Sequence, residues 1–402
     1  MTETNTAAKT YLAVPYEQRE AAKAAGALWD KKEKAWFVKG TEVPQDFEKF
    51  LSQNRPESEK GREQPLEAFG QFLRENGADL KGLPEMDGKW HRIALVGEGK
   101  VTNATYRGFL DGVPNGQFKN FKGDESPLQW TGKGEALTRQ EKQRLTAEAA
   151  QAREVRERER AQEQETTAKR AFGIWTNIKT WATPDNCPYL ANKQVRGFGA
   201  KLAEDGRMVV PLRDDTGRIW SLQFVGDEKF YLKSGRKTGL FHTIDPDREL
   251  EKDRKDEKLT VVISEGYATG ADVHKATKLP TLVAFDSDNL VNVAKSVREK
   301  YPAANILIAA DDDHHLPLQN PPLPNKGLRS AQRAAEAAGG KVLAPSFTLA
   351  EKDRDATDWN DLKQLRGEKG LLTALRESFT MMQRKQKLGT DKGLERQLEM
   401  SR

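Results

Sequence analysis

Apolar and polar positions follow several rhythms along this chain, each predicting a different element. Residues 11–14 (Tyr-Leu-Ala-Val) and 35–38 (Ala-Trp-Phe-Val) are short β-type runs flanking a helix-forming stretch at 17–25, which predicts a small α+β module over residues 1–52. Within it Trp29 and Trp36 face each other across residues 30–34, more readily as a tiny core than as a nucleic-acid platform. Residues 52–64 are polar, carry Pro56 and Gly61, and read as a linker. Helical periodicity over 66–76 then leads into a β-rich stretch from 90 to 130 with turn signals at Gly97-Glu98-Gly99 and Asp111-Gly112, predicting a second module over 62–134. From 135 to 170 nine Lys or Arg mix with eight Asp or Glu, the pattern of a solvated helical linker laced by pairs three and four apart. Apolar a and d positions lapse through Arg153 to Arg160, so a sustained coiled coil does not follow.

Beyond Phe172 strands alternate with helices to about residue 377, the signature of an α/β body. Two of its apolar runs break off in acid. Val261-Val262-Ile263-Ser264 leads to Glu265-Gly266-Tyr267, and 46 residues later Ile306-Leu307-Ile308-Ala309-Ala310 leads to Asp311-Asp312-Asp313. Such runs read as buried parallel strands that deliver side chains to the carboxyl edge of a sheet, where α/β proteins place their chemistry. The expected fold class is therefore mixed α/β, with a parallel-sheet catalytic domain at 256–377, a basic part before it at 171–255, and a basic tail at 378–402 that is a loose helix or disordered.

Length and charge refine this. A chain of 402 residues suits two or three domains. Its net charge of +5 is mild, so any nucleic-acid surface must arise from local clustering. A single cysteine, Cys187, excludes an intramolecular disulfide and a thiolate-rich zinc site; it reads as a core residue, and no zinc is expected. No stretch approaches the ~20 apolar residues of a membrane span, and no export signal is visible, so the expectation is a cytoplasmic protein without membrane insertion.

Phosphoryl transfer needs cations to neutralise phosphate oxygens and a group to handle the proton of an attacking hydroxyl. Alternate residues at a strand end can point Asp311 and Asp313 at one ion while Asp312 faces away, and Glu265 fits as ligand or general base. Asp358-Trp359-Asn360-Asp361 adds further oxygen donors. Hard oxygen ligands suit Mg²⁺, with Mn²⁺ as a substitute, and weigh against a metal role for His314 and His315. Residues 186–241 hold ten Lys or Arg against six acids, interleaved with aromatics, as a surface for a phosphate backbone and unstacked bases would. Arg213, Lys229, Arg236 and Lys237 follow strand ends or sit in a Gly-containing loop, and are the candidates for template or nucleotide phosphates.

The order strand, Glu265-Gly266-Tyr267, helix, strand, Asp311-x-Asp313, helix resembles the Toprim domain of bacterial primases, topoisomerases and some nucleases. Residues 208–218 and 229–232 resemble the basic half of a bacterial primase core. Cys187-Pro188-Tyr189-Leu190, Ser221-Leu222-Gln223-Phe224, Gly235-Arg236-Lys237, Ala284-Phe285-Asp286 and residues 357–362 are similar to the TraC type of conjugative-plasmid primase. The likeness covers roughly 186–365, and the Trp29/Trp36 unit also looks like a module of such plasmid proteins. It implies Glu265 as the essential acid, Asp311 and Asp313 as a metal-binding pair, and Asp358 and Asp361 as second-metal ligands. Asp286 has a weaker claim beside an equally good reading as a helix N-cap. Replicative primases read template with a cysteine-rich zinc ribbon. One cysteine excludes it here, which moves template recognition to the 62–130 region. The proline-rich loop to Pro324 also departs from the short turn of the replicative enzymes.

The resemblance implies a primase that lays RNA primers on single-stranded, conjugatively transferred plasmid DNA from ribonucleoside triphosphates, with replication or conjugation proteins as further partners. A Toprim nuclease and a non-catalytic single-strand-binding accessory protein are the alternatives. The basic 186–241 segment argues against the first, and the presence of Glu265, Asp311 and Asp313 against the second.

Overall fold

The computed structural model describes residues 8–40, 42–51, 63–99, 101–121, 126–132, 139–252, 259–319 and 322–400. Most of the expected linker at 52–64 lies outside them. The chain divides into two compact units, Met1–Ala161 and Gln162–Arg402.

The first unit opens with β1 (Lys9–Leu12), α1 (Arg19–Ala24), β2 (Leu28–Asp30) and β3 (Ala35–Lys39), an antiparallel sheet in the order β1-β3-β2. Trp29 and Trp36 are register partners with ring centroids 5.5 Å apart, but Trp29 stays half exposed, so the pair caps the core formed by Leu12, Val14, Val38 and Phe47 and does not constitute it. After α2 (Glu63–Glu75) come β4 (His91–Ile93), β5 (Ala104–Phe109), β6 (Asn115–Asn120) and β7 (Leu128–Thr131), an antiparallel meander. Phe69 and Leu73 of α2 are fully buried against Tyr106 and Phe118. Gly108 and Gly116 leave the space that the Phe69 ring occupies, which is why two glycines lie opposite each other mid-strand.

The charged run is one helix, α3 (Arg139–Asn177). It is not the solvated linker expected over 135–170. Ala147 and Ala150 are buried with Tyr11, Ala35 and Phe37, and Gln151 accepts the Tyr11 amide at 2.8 Å. Short alanine side chains let the helix approach, and Arg153 and Arg156 turn in to pair with Glu33 and Asp111, a signal that the density of charge obscures. Farther along, Ala171 and Trp175 pack in a core with Val209, Leu222 and Phe224 of the second unit.

That unit begins with α4 (Pro188–Lys193) and an antiparallel sheet of β8 (Lys201–Leu202), β9 (Met208–Arg213), β10 (Ile219–Val225) and β11 (Lys229–Tyr231). Cys187 is buried in its core, as expected of a small apolar residue. Then follow β12 (His242–Ile244), α5 (Glu249–Lys252), β13 (Thr260–Ser264), α6 (Tyr267–Thr277), β14 (Thr281–Val283), α7 (Leu290–Lys300), β15 (Asn305–Ala309), α8 (Lys326–Ala338), β16 (Lys341–Leu343), α9 (Leu349–Lys352) and α10 (Trp359–Met400). The sheet order is β12-β14-β13-β15-β16, with β12 antiparallel and the rest parallel. Val261, Val262, Ile263, Ile306, Leu307 and Ile308 are at most 3% exposed. Each such side chain stabilises the fold by about 1.5–3 kcal/mol, and helices on both faces explain why the strands are apolar throughout rather than alternating. The tail from Met381 continues α10 to Met400, and that helix is broken at Gly367, whose φ of 70° suits glycine.

Candidate active site on the acidic edge of the parallel sheet

Strands β13 and β15 run side by side in register, Ser264 opposite Ala309, so the residues that follow them emerge at the same edge. Glu265 leaves the end of β13 and Asp311 follows β15 by two residues. Asp311 is pressed into the protein: its Oδ1 is buried with no hydrogen-bond partner. Burial pushes its carboxyl well above the ordinary range, and the charges of Glu265, Asp358, Asp313 and Asp361 push the same way. Glu265 rises from 4.5 to about 7, first by burial and then by Asp313, while Lys326 and Lys229 pull it back. At about 1.4 kcal/mol per pH unit, keeping Glu265 ionised costs on the order of 3 kcal/mol.

A helix start holds the aspartates. Asn325, the N-cap of α8, donates through Nδ2 to Asp312 Oδ1 at 2.7 Å and accepts the Asp313 amide on Oδ1 at 3.1 Å. The Gly327 amide donates to Asp313 Oδ2 at 2.8 Å. Gly327 must be glycine, because a Cβ there would run into the Asp311 backbone carbonyl. The Asp312 carboxylate is taken up by Asn325, and its backbone amide donates to the Thr357 carbonyl at 2.7 Å.

The remaining expected residues divide. Asp358 and Asp361 act on Asp311 electrostatically, yet they also cap α10: the Asp361 amide donates to Asp358 Oδ1 at 2.8 Å, and the Thr357 amide to Asp361 Oδ2 at 3.1 Å. Lys193 lies 3.6 Å from Asp361. Asp286 is an N-cap, accepting the Asn289 amide at 2.9 Å, and Lys237 Nζ lies 3.0 Å from its other oxygen. Lys229 bears on Glu265, whereas Arg236 stacks on Trp220 at 4.9 Å and donates to the Thr238 carbonyl. Arg213 is spent within its own hairpin, donating to the Gly217 carbonyl at 2.7 Å, beside a cavity walled by Asp245, Arg248 and Lys300. Among the described residues His314 meets no acidic side chain: its Nδ1 bonds the Asp312 backbone carbonyl at 3.0 Å.

Lys326, Asn325 and Gly327 were not foreseen as site residues; the available signal was an N-cap Asn opening the amphipathic run after Pro324. Among the described residues, one triad of ligand atoms falls within 4.8 Å of one another, Glu85, Asp87 and His91 in the first unit, where His91 Nε2 pairs with Asp87 at 2.8 Å. Glu265, Asp311 and Asp313 therefore do not close on a single point. A divalent cation that keeps several waters fits such a spacing, and the unpartnered Asp311 oxygen among coupled carboxylates is what a cation would satisfy.

Comparison with known proteins places the same part of the chain among described families. Residues 260–369 match the model of the Toprim domain. This part of the chain is thus similar to the Toprim domain, a module that in primases is generally metal-dependent. Residues 9–52, the Trp29/Trp36 module, match a domain of unknown function, DUF5710. Two curated Escherichia coli proteins named DNA primase TraC are 37% identical over 354 residues and 34% identical over 351. These matches take in 86% and 85% of this chain but 24% and 32% of the relatives, so the chain spans a quarter to a third of their length. Among solved structures, the primase fragment of the bacteriophage T7 primase-helicase protein is 14% identical with a TM-score of 0.34, covering 46% of this chain and 73% of that one. The DnaG primase catalytic domain bound to ssDNA is 12% identical with a TM-score of 0.34, covering 54% and 82%. No helix among the described residues is long and apolar enough to cross a membrane.

Proposed function

We propose that this chain is a DNA primase, joining ribonucleoside triphosphates into short primers on single-stranded plasmid DNA during conjugative transfer. The observation that carries the reading is the buried, unpartnered Oδ1 of Asp311 amid Glu265, Asp313, Asp358 and Asp361 on the carboxyl edge of a Toprim sheet. Identity to proteins named DNA primase TraC supports the reaction class. Glu265, Asp311 and Asp313 would hold Mg²⁺, with Asp358 and Asp361 adding charge behind them. Bound there, the cation supplies charge neutralisation for phosphate oxygens. Glu265, with its carboxyl near 7, is suited to take the proton of an attacking hydroxyl. Lys229 and Lys326, both exposed and both acting on Glu265, offer positive charge to an incoming triphosphate. Asn325 and Gly327 keep Asp313 oriented. The test is primer synthesis from labelled ribonucleotides on circular single-stranded DNA, by the wild-type chain and Asp311→Asn. Wild-type synthesis lost in the variant supports the reading, whereas cleavage of the circle without synthesis would replace it with a nuclease.

A further inference from the structure

We propose that the outward face of the sheet β4–β7 binds single-stranded DNA, with Trp90 and Phe121 as stacking platforms and Arg92, Arg107 and Lys119 as phosphate contacts. The strand's identity as template rests on the primase reading; the binding itself does not.

The register sorts the sheet into two faces. Ile93, Ala104, Tyr106 and Phe118 point into the core with Phe69 and Leu73. Opposite them lie three rows: Arg92, Thr105 and Lys119; then Arg107, Gln117 and Gln129; then Phe109, Asn115 and Thr131. These rows hold three cations, and Asp87, the bridge partner of Phe109, is taken up by His91 at 2.8 Å, so the balance is cationic and complementary to a phosphodiester chain. Trp90 and Phe121 flank them, each 46% exposed. Arg107 lies over the Trp90 ring at 4.5 Å and Arg92 over the Phe121 ring at 4.6 Å. Every ring is thus paired with a cation, the combination that grips a base and its phosphate together.

The face is also held in shape before any ligand arrives. Arg107 Nε donates to Gln117 Oε1 at 2.8 Å, and Gln117 Nε2 to Gln129 Oε1 at 3.1 Å, so long side chains are already ordered and binding costs less entropy. Arg156 lies 4.9 Å from the Phe109 ring and is itself neutralised by Asp111 through bonds of 2.9 and 3.1 Å. Arg107 shares this corner with Arg156 and Arg160, and its hydrogen bond goes to an amide oxygen. A phosphate would relieve that crowding. Separated rings suit unstacked bases rather than an apolar protein partner, whose interface would want contiguous apolar area at its centre. A duplex, with its bases already stacked, would leave the rings unused.

The test is anisotropy of a labelled oligothymidylate with the full chain, without nucleotide or divalent cation. Trp90→Ala/Phe121→Ala should weaken single-strand binding by about tenfold or more while leaving duplex binding in place. Arg92→Gln/Lys119→Gln should lower the log-log salt slope by about 0.7 for each lost contact. Trp90→Phe/Phe121→Tyr should retain most of the affinity, which a loss caused by misfolding would not, and circular dichroism melts check each variant. Wild-type affinity and slope in both of the first two variants would overturn the proposal, as would equal losses for single strand and duplex. Asp311→Asn should bind the oligonucleotide like wild type, so a failure of the sheet and a failure of the catalytic reading appear in different assays.

Discussion

Two aspartates of the second unit with buried carboxylate oxygens have opposite fates. Asp272 in α6 is 1% exposed and fully answered: Lys363 Nζ donates to its Oδ1 at 2.8 Å and Asn360 Nδ2 to its Oδ2 at 2.6 Å. Those donors also reach the Lys193 and Gln194 carbonyls at the end of α4, so one pair ties three helices together. Asp311 is held by backbone geometry while one carboxylate oxygen is left unanswered among four further acids. Burial and the neighbouring acids favour the neutral form of such a carboxyl, and its open oxygen costs the fold free energy that a bound group would offset. The contrast separates an aspartate answered within the fold from one whose oxygen is left open, although both follow apolar residues in the sequence.

The largest effect should fall on catalysis. Asp311→Asn is expected to lower primer synthesis at least about a thousandfold, since an amide holds a hard cation poorly. Its metal-free melting temperature should stay level or rise; a clear fall would put Asp311 in the same class as Asp272. Lys363→Ala should do the reverse, costing about 3–5 kcal/mol in denaturant unfolding by leaving Asp272 buried without its cation. Activity per folded molecule should survive, and a catalytic loss with unchanged stability would break the comparison.

A pH experiment sharpens it. Burial raises the folded-state pKa of Asp311 and brings Glu265 from 4.5 to about 7, so the folded metal-free chain binds more protons than the unfolded one. Its stability should therefore decline as pH rises from about 4.5 through 7. Thermal melts should show that decline, Mg²⁺ should offset it, and Asp311→Asn should flatten it. A metal-free protein that gains stability over this range would contradict the burial argument. Asp272 is raised in the same direction, with burial outweighing Lys363, so some slope should remain in Asp311→Asn. The smallest effect concerns Lys326: Lys326→Ala should raise the KM for ribonucleotides by about fivefold with little change in kcat, as for one exposed cation near a phosphate. An unchanged KM would remove Lys326 from the site.

Much of this was legible beforehand. Apolar runs ending at Glu265 and Asp311 announced a parallel sheet and its acidic edge, because burial on both faces leaves a mark in composition. What the linear pattern could not convey is which strand ends share an edge. Arg213 ends β9, but β9 belongs to the antiparallel sheet, so its guanidinium closes a hairpin rather than joining the carboxylates. Asp286 carried two equal readings, and the N-cap bond to Asn289 favours the structural one. Asn360 looked like one more oxygen donor until its contacts placed it under Asp272. The alanines of α3 were hidden by the charges around them, although their spacing of three, Ala147 to Ala150 and Ala168 to Ala171, was a helical stripe.

The Asn325 side chain, by binding both Asp312 and the Asp313 amide, staples together the two ends of the segment that runs from Asp313 to Asn325. Of the described residues, 314–319 and 322–324 lie between the two ends so joined. The entropic cost of closing a loop rises by only about 0.6 kcal/mol for each doubling of its length. Lineages of this fold can therefore lengthen or redecorate that proline-rich segment, and with it whatever the reactive edge encounters first, while the carboxylates keep their positions.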